Sequence, residues 1–253
     1  MINLRNTNIV FLLIAAGLLY MRAPWYGYVV ALVPYTLLLF WGSYNVGSDF
    51  YIRVTCHGPS DARRIAITFD DGPADQYTPE VLDVLAQHGV AAAFFCIGKN
   101  ISGREALLRR MQAEGHLVGN HSFSHHTWFD LFSTRRMSAD LARMDEAVLS
   151  ALGMKPRLFR PPYGVTNPNL ARAIRRGGYT PIGWNVRSLD TVIDDPIKLL
   201  NRVTAGLTPG AIVLFHDTSV ATLEMLPGFI TAARAAGFDF IRLDNLCNLT
   251  PYA

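Results

Sequence analysis

"RIAITFDDGPADQYTPEVLDVLAQHGVAAAFFCI" (residues 64–97) holds one full unit of an alternating chain. RIAITF (64–69) is a continuous apolar and β-branched run, which reads as a buried strand. TPEVLDVLAQHG (78–89) reads as a helix, with Thr78 as cap, Pro79 in the first turn and Gly89 as the stop. VAAAFFCI (90–97) is the next strand. Between the first strand and the helix stand two adjacent aspartates, Asp70 and Asp71, followed by Gly72-Pro73. Neighbouring carboxylates repel each other, so the pair calls for a bound metal or a buried cation.

The same alternation continues downstream. Helices are expected over 103–115, 138–153 (capped by Ser138), 167–178, 195–207 and 225–237. Strands are expected over 116–121, 157–162, 180–186, 211–217 and 238–243. About seven strand–helix units imply an α/β fold with a parallel sheet. A (β/α) barrel near the TIM type fits best, and a doubly wound open sheet is the alternative. In such a barrel the chemistry sits at the C-terminal strand ends.

The chain has 253 residues, half of them hydrophobic, and the apolar excess lies at the front. From Ile9 to Trp41 the only charge is Arg22. Residues 9–21 and 29–41 read as two short transmembrane helices forming a hairpin, with 22–28 as an interfacial turn carrying Trp25, Tyr26 and Tyr28. One tilted span or an uncleaved signal anchor is the rival. Residues 1–48 are thus the expected membrane anchor, in lipid contact through 9–41, with 49–63 a linker and lead-in and 64–247 the α/β domain. The net charge is +3, with no basic run interleaved with aromatics, so nucleic acid is not an expected partner. Three cysteines, Cys56, Cys96 and Cys247, form no CxxC and read as small buried thiols; a Cys56–Cys247 bridge is the one pairing left open.

Ionisable side chains fall at the expected strand ends: Asp70-Asp71, His121 and His125, Arg160, Asp190 and His216-Asp217. His121 and His125 are four apart and share a face if the segment turns helically. With one aspartate they would bind a metal and leave positions open for water and substrate, a catalytic pattern. The other aspartate is then free to act as base, with Arg160 holding it ionised. His216 is the natural proton donor and Asp190 can tune an imidazole. His126 reads as exposed; His57, His88 and His116 lie away from the strand ends and take no role.

The ordered set TFDDGP (68–73), HSFSH (121–125), RPPYG (160–164), WNVRSLD (184–190) and LFH (214–216) resembles the polysaccharide deacetylases, the NodB-homology group or carbohydrate esterase family four. The resemblance covers roughly residues 60–245. It implies a distorted (β/α)7 barrel that removes acetyl groups from N-acetylhexosamines. It implies Asp70 as general base, and Asp71, His121 and His125 as ligands of a divalent metal, most often Zn2+. His216 would be the general acid, Arg160 would orient Asp70, and Asp190 would tune His216. Pro162, Tyr163 and Leu214 would be substrate-binding positions, Tyr163 through its backbone N–H and Leu214 against the acetyl methyl. Arg187 and Thr191 depart from the common fourth motif, which bears on the tuning network and on one wall of the sugar groove. The implied substrate is a glycan, at the bacterial cytoplasmic membrane and on its outer face; the rival within enzymes is a deacylase of a lipid-linked amino sugar, which the membrane hairpin makes attractive. The rival of another class is an inactive, membrane-anchored sugar-binding protein.

Overall fold

The computed structural model describes residues 2–253. Two helices, α1 (Leu4–Tyr20) and α2 (Trp25–Tyr44), precede the sheet domain. The domain then runs β1 (Arg64–Asp70), α3 (Thr78–His88), β2 (Ala93–Cys96), α4 (Glu105–Ala113), β3 (Leu117–Asn120), α5 (Thr134–Leu152), β4 (Leu158–Phe159) and α6 (Pro168–Gly177). It continues with β5 (Thr180–Pro181), β6 (Val186–Arg187), α7 (Pro196–Ala205), β7 (Ile212–His216), α8 (Val220–Ala235), β8 (Asp239–Phe240) and α9 (Leu243–Cys247). The strands are parallel and ordered β5-β4-β3-β2-β1-β7-β6, with β8 pairing the start of β1. The sheet curls into a half-barrel of the distorted TIM-like kind, and the doubly wound alternative is set aside.

The strand expected over 180–186 is two strands. β5 pairs β4 and β6 pairs β7, with no ladder between them, so the barrel opens between β5 and β6. Ile182 and Gly183 lie in this break. Their carbonyls accept from the Arg160 Nε and Nη2 (3.4 and 2.8 Å), which satisfies groups that a closed ladder would have paired. The lead-in segment also reaches the break: Thr55 N–H donates to Pro181 O, and Gly183 N–H to Thr55 O.

Period-two alternation sorts the central strands. Ile65, Ile67 and Phe69 of β1, with Val213 and Phe215 of β7, join the large core under the surrounding helices. Ala66 and Ile212 face the other way, into a second cluster that Leu243 and Leu246 of α9 complete. Thr68 and Asp70 continue that inner row on β1, and Leu214 and His216 on β7. The register sets Thr68 beside Leu214 and Asp70 beside His216. An apolar row therefore turns polar at its C-terminal end, where the site lies.

Several local expectations are corrected. α3 has no side-chain cap; the Thr78 hydroxyl instead accepts Ala74 N–H (2.8 Å) and donates to Asp217 (2.6 Å). α5 begins at Thr134 because Ser133, not Ser138, caps it by accepting Arg136 N–H. α8 begins at Val220, capped by Ser219, and continues through Pro227. All three cysteines are free, so no Cys56–Cys247 bridge forms.

The two N-terminal helices do form a hairpin. Tyr35 donates to Asn8 (3.0 Å), and the Phe11 and Tyr35 rings stack at 4.2 Å. Its turn lies at residues 21–24 rather than 22–28, and Trp25 opens α2. α2 has 20 residues and so spans about 30 Å, the thickness of a bilayer core. It is the one helix long and apolar enough among the described residues; α1 is shorter at 17. The hairpin is docked on the domain. Leu4 N–H donates to Phe50 O (3.0 Å), and Thr166 N–H to Ser43 O (3.0 Å). The Phe50 ring covers Gly42, where a Cβ would come within 2.4 Å of it.

Candidate active site and metal centre

Asp70 ends β1 in extended backbone, whereas Asp71 has φ +77° and leaves the strand. The two carboxylates therefore diverge. Asp70 is buried and its Oδ1 accepts from the Arg160 Nη1 at 2.8 Å. That same nitrogen donates to Thr68 (2.7 Å), and the guanidinium lies over the Phe95 ring at 4.2 Å. Burial raises the Asp70 carboxyl above its ordinary value, while the charge and hydrogen bond of Arg160 oppose the rise. A guanidinium stays protonated even when buried, so Arg160 keeps Asp70 supplied with a counter-charge.

Asp71 Oδ1 lies 3.5 Å from both His121 Nε2 and His125 Nε2. The i, i+4 spacing of these histidines does not come from a helix. Ser122 and His125 have φ +65° and +42°. Side chains take the amides that a helical ladder would use: Asn120 Oδ1 accepts Ser122 N–H, Asp140 Oδ1 accepts Phe123 and Ser124 N–H, and Ser122 Oγ accepts His125 N–H. This cradle turns both rings toward Asp71.

Three features fit a divalent metal here. The Asp71, His121 and His125 ligand atoms lie within 4.8 Å of one another. Asp71 Oδ1 is buried and has no hydrogen-bond partner. His121 Nδ1 faces Arg160 O at 2.8 Å, an arrangement that places its proton there and leaves Nε2 as a lone-pair ligand. Burial pushes His121 down to about 3, with neighbouring Asp71 opposing, so the ring is neutral as a ligand must be.

His216 lies beside Asp70 in register, and its Nε2 is 3.9 Å from Asp71 Oδ2. Its Nδ1 meets Asp190 Oδ1 at 2.7 Å. Burial lowers its pKa, but the Asp190 hydrogen bond and charge, helped by Asp70 and Asp71, outweigh burial and raise it to about 9. Asp190 is itself fully engaged: Ser188 Oγ donates to Oδ1, and Thr222 Oγ1 and His216 N–H donate to Oδ2. Burial works against its charge, but the hydrogen bond and charge of the His216 imidazole, with the Thr222 and Ser188 hydroxyls, hold its pKa below the ordinary value.

These groups line a cavity of about 210 Å³ together with Leu214, Tyr163 and Gly164. Tyr163 has φ +60° and Gly164 φ +71°; a Cβ on Gly164 would come within 2.6 Å of the Trp184 ring, so the turn requires glycine. Trp184, Arg187 and Thr191 complete the wall. Pro162 is buried and lies outside the wall, supporting the turn instead. His126 is exposed and accepts Trp128 N–H. His116 is buried and accepts Ala92 N–H at 3.0 Å. Sequence reasoning missed Asn120, Asp140, Ser188 and Thr222. Asn120 directly precedes His121 and so carried a local signal; Asp140 and Thr222 reach the site from α5 and α8, which no spacing reveals.

Comparison with known proteins agrees with this geometry. The family profile described as "Polysaccharide deacetylase" matches residues 57–182. The peptidoglycan-N-acetylglucosamine deacetylase PgdA of Listeria monocytogenes is 37% identical over 184 residues, 73% of this chain, but the chain spans only 39% of that relative's length. The peptidoglycan-N-acetylmuramic acid deacetylase PdaA of Bacillus subtilis is 33% identical over 193 residues, covering 75% of this chain and 73% of the relative. The crystal structure of the Bc1960 peptidoglycan N-acetylglucosamine deacetylase superposes with a TM-score of 0.75 at 26% identity, covering 79% of this chain and 95% of that one. The chain belongs to the polysaccharide deacetylase family.

Proposed function

We propose that this protein hydrolyses the N-acetyl amide of an N-acetylhexosamine in a glycan, releasing acetate and a free amine. One observation carries the reading. Asp70, paired with a buried guanidinium, and His216, paired with a buried carboxylate, stand side by side next to the Asp71–His121–His125 cluster. Asp71, His121 and His125 would hold a divalent ion, most often zinc in such donor sets. Bound there, the ion supplies Lewis-acid polarisation of the amide carbonyl and acidification of water.

Asp70 takes the proton of the attacking water, and Arg160 keeps it ionised and aimed. His216 enters the reaction protonated and donates its Nε2 proton to the amine as the C–N bond breaks. Asp190 fixes the ring through Nδ1 and favours the charged form. The Tyr163 N–H supports the developing oxyanion. Leu214 receives the acetyl methyl. The apolar α2 would hold the domain at a bacterial cytoplasmic membrane, on the outer face where such glycans lie.

The test is acetate release by the full chain in detergent, with and without chelator and added zinc, on N-acetylated oligosaccharides. Chelator-sensitive release restored by zinc is the expected result. No release from any N-acetylated sugar by zinc-loaded protein would overturn the reading.

A further inference from the structure

A second concavity opens onto the catalytic one. It measures about 1020 Å³, against about 210 Å³ for the cavity holding Asp70. The two share Tyr163, Trp184 and Arg187, so the trough is continuous between them. One bank is formed by Leu37, Phe40, Trp41 and Tyr44 of α2. Their i, i+3, i+4, i+7 spacing makes a single helical stripe. All four remain substantially exposed. The stripe lies on the one helix among the described residues that is both long and apolar enough to cross a bilayer.

Arg187 stands where the two concavities meet. It is exposed, and no carboxylate lies within ion-pair distance of it among the described residues. Its guanidinium lies 6.0 Å from the Trp184 ring centroid, on the trough wall. An acidic side chain at this place would repel an anion; an unpaired arginine is suited to a phosphate. From membrane helix to Asp71 the trough therefore presents an apolar stripe, then a free cation, then the hydrolytic cavity. That is the order of a hydrocarbon chain, a phosphate and a sugar.

We infer that the substrate is an N-acetylated amino sugar joined through a phosphate to a lipid chain. The sugar occupies the catalytic cavity, the phosphate meets Arg187, and the chain lies along the α2 stripe. The inference rests on the deacetylase reading above and names its substrate class. The chemistry is unchanged: a water oxygen bonds to the acetyl carbon, the C–N bond breaks, and the sugar–phosphate–lipid linkage stays intact.

Binding and turnover are tested separately on the full chain in nonionic detergent. Farnesyl phosphate, which carries no amide, is titrated against tryptophan fluorescence beside farnesol and inorganic phosphate. The expected result is farnesyl phosphate affinity at least tenfold above either control, with a tenfold or greater loss in Arg187→Gln and in Phe40→Glu. Circular dichroism and one retained equivalent of zinc report that the variants are folded, and the three-ligand comparison on wild type needs no variant. In turnover, kcat/KM for N-acetylglucosamine farnesyl diphosphate should exceed that for an N-acetylglucosamine tetrasaccharide at least tenfold. Equal kcat/KM for the two, or farnesyl phosphate binding no tighter than its controls, would overturn the inference while tetrasaccharide cleavage leaves the deacetylase reading intact. Tight farnesyl phosphate binding without acetate release from either substrate would support the lipid-phosphate trough and sink the deacetylase reading.

Discussion

Asp70 and His216 lie side by side on β1 and β7, and each is held by a buried partner of opposite charge. The partners differ in what they hold. On the β1 side a fixed cation, Arg160, supports a carboxylate whose burial would otherwise neutralise it. On the β7 side a carboxylate, Asp190, supports an imidazole whose burial would otherwise discharge it. In the proposed reaction the first arrangement serves a proton acceptor and the second a proton donor. Two neighbouring inner positions would thus take opposite proton tasks from their surroundings. The adjoining candidate metal-ligand cluster requires the reverse, a neutral His121.

The strongest way to break the contrast is to remove its acceptor. Asp70→Asn should lower kcat by about 10²–10⁴-fold, in line with general-base losses, and acetate release at saturating substrate measures it. The zinc content of this variant should stay at one equivalent, because Asp71 Oδ1 lies 3.5 Å from both histidines, whereas Asp70 Oδ2 approaches only His121, at 3.8 Å. His125→Ala should show the converse, with zinc affinity down by at least about tenfold by competition with a chromogenic chelator. A retained equivalent of tightly bound zinc in His125→Ala would remove that residue from the ligand set.

The donor side is sharpened by pH. His216 must be protonated to donate, so turnover falls as pH rises through its pKa of about 9. A bound divalent cation opposes that charge and draws the limb to lower pH. Asp190→Asn removes the main support of the imidazolium, and the alkaline limb should move down by about one unit or more. The same group links to stability. Its folded pKa lies above the unfolded value, so its stabilisation is fully present below about pH 6.5 and is lost as pH rises through 9. Thermal unfolding of metal-free protein between pH 6 and 10 measures this, and Asp190→Asn should flatten the profile.

Arg160→Met tests whether the acceptor side also carries structure. Removing one partner of a buried pair leaves Asp70 uncompensated and should cost about 3–5 kcal/mol, read by denaturant unfolding. The smallest effect belongs to Thr222→Val. It deletes one of four hydrogen bonds to the Asp190 carboxylate, a loss of about 1 kcal/mol, with a small downward shift of the alkaline limb.

Much of the framework was legible because the parallel strands are covered on both faces and read as apolar runs, as in RIAITF and AIVLF. Charged residues at the ends of such runs are conspicuous, which is why Asp70, Asp71 and His216 stood out. The His121–His125 spacing pointed to the right pair through the wrong conformation: a helix was expected, and a turn held by Asn120 and Asp140 is present. The split of 180–186 was hidden because Ile182 and Gly183 bond to a side chain, Arg160, from a distant strand end. The His216 partner of Asp190 was anticipated, but Thr222 was hidden for the same reason, since it reaches Asp190 across 32 residues.

The seating of the hairpin has a mechanical consequence. Thr166 bonds to Ser43 and Gly42, and Phe50 closes over Gly42, so no slack runs between α2 and the strand ends. An enzyme on a long tether sweeps a volume and finds bonds throughout a thick wall. With α2 embedded as proposed, this domain would have the reach of its own radius and would stand at a constant height above the bilayer. A substrate would have to arrive at that height.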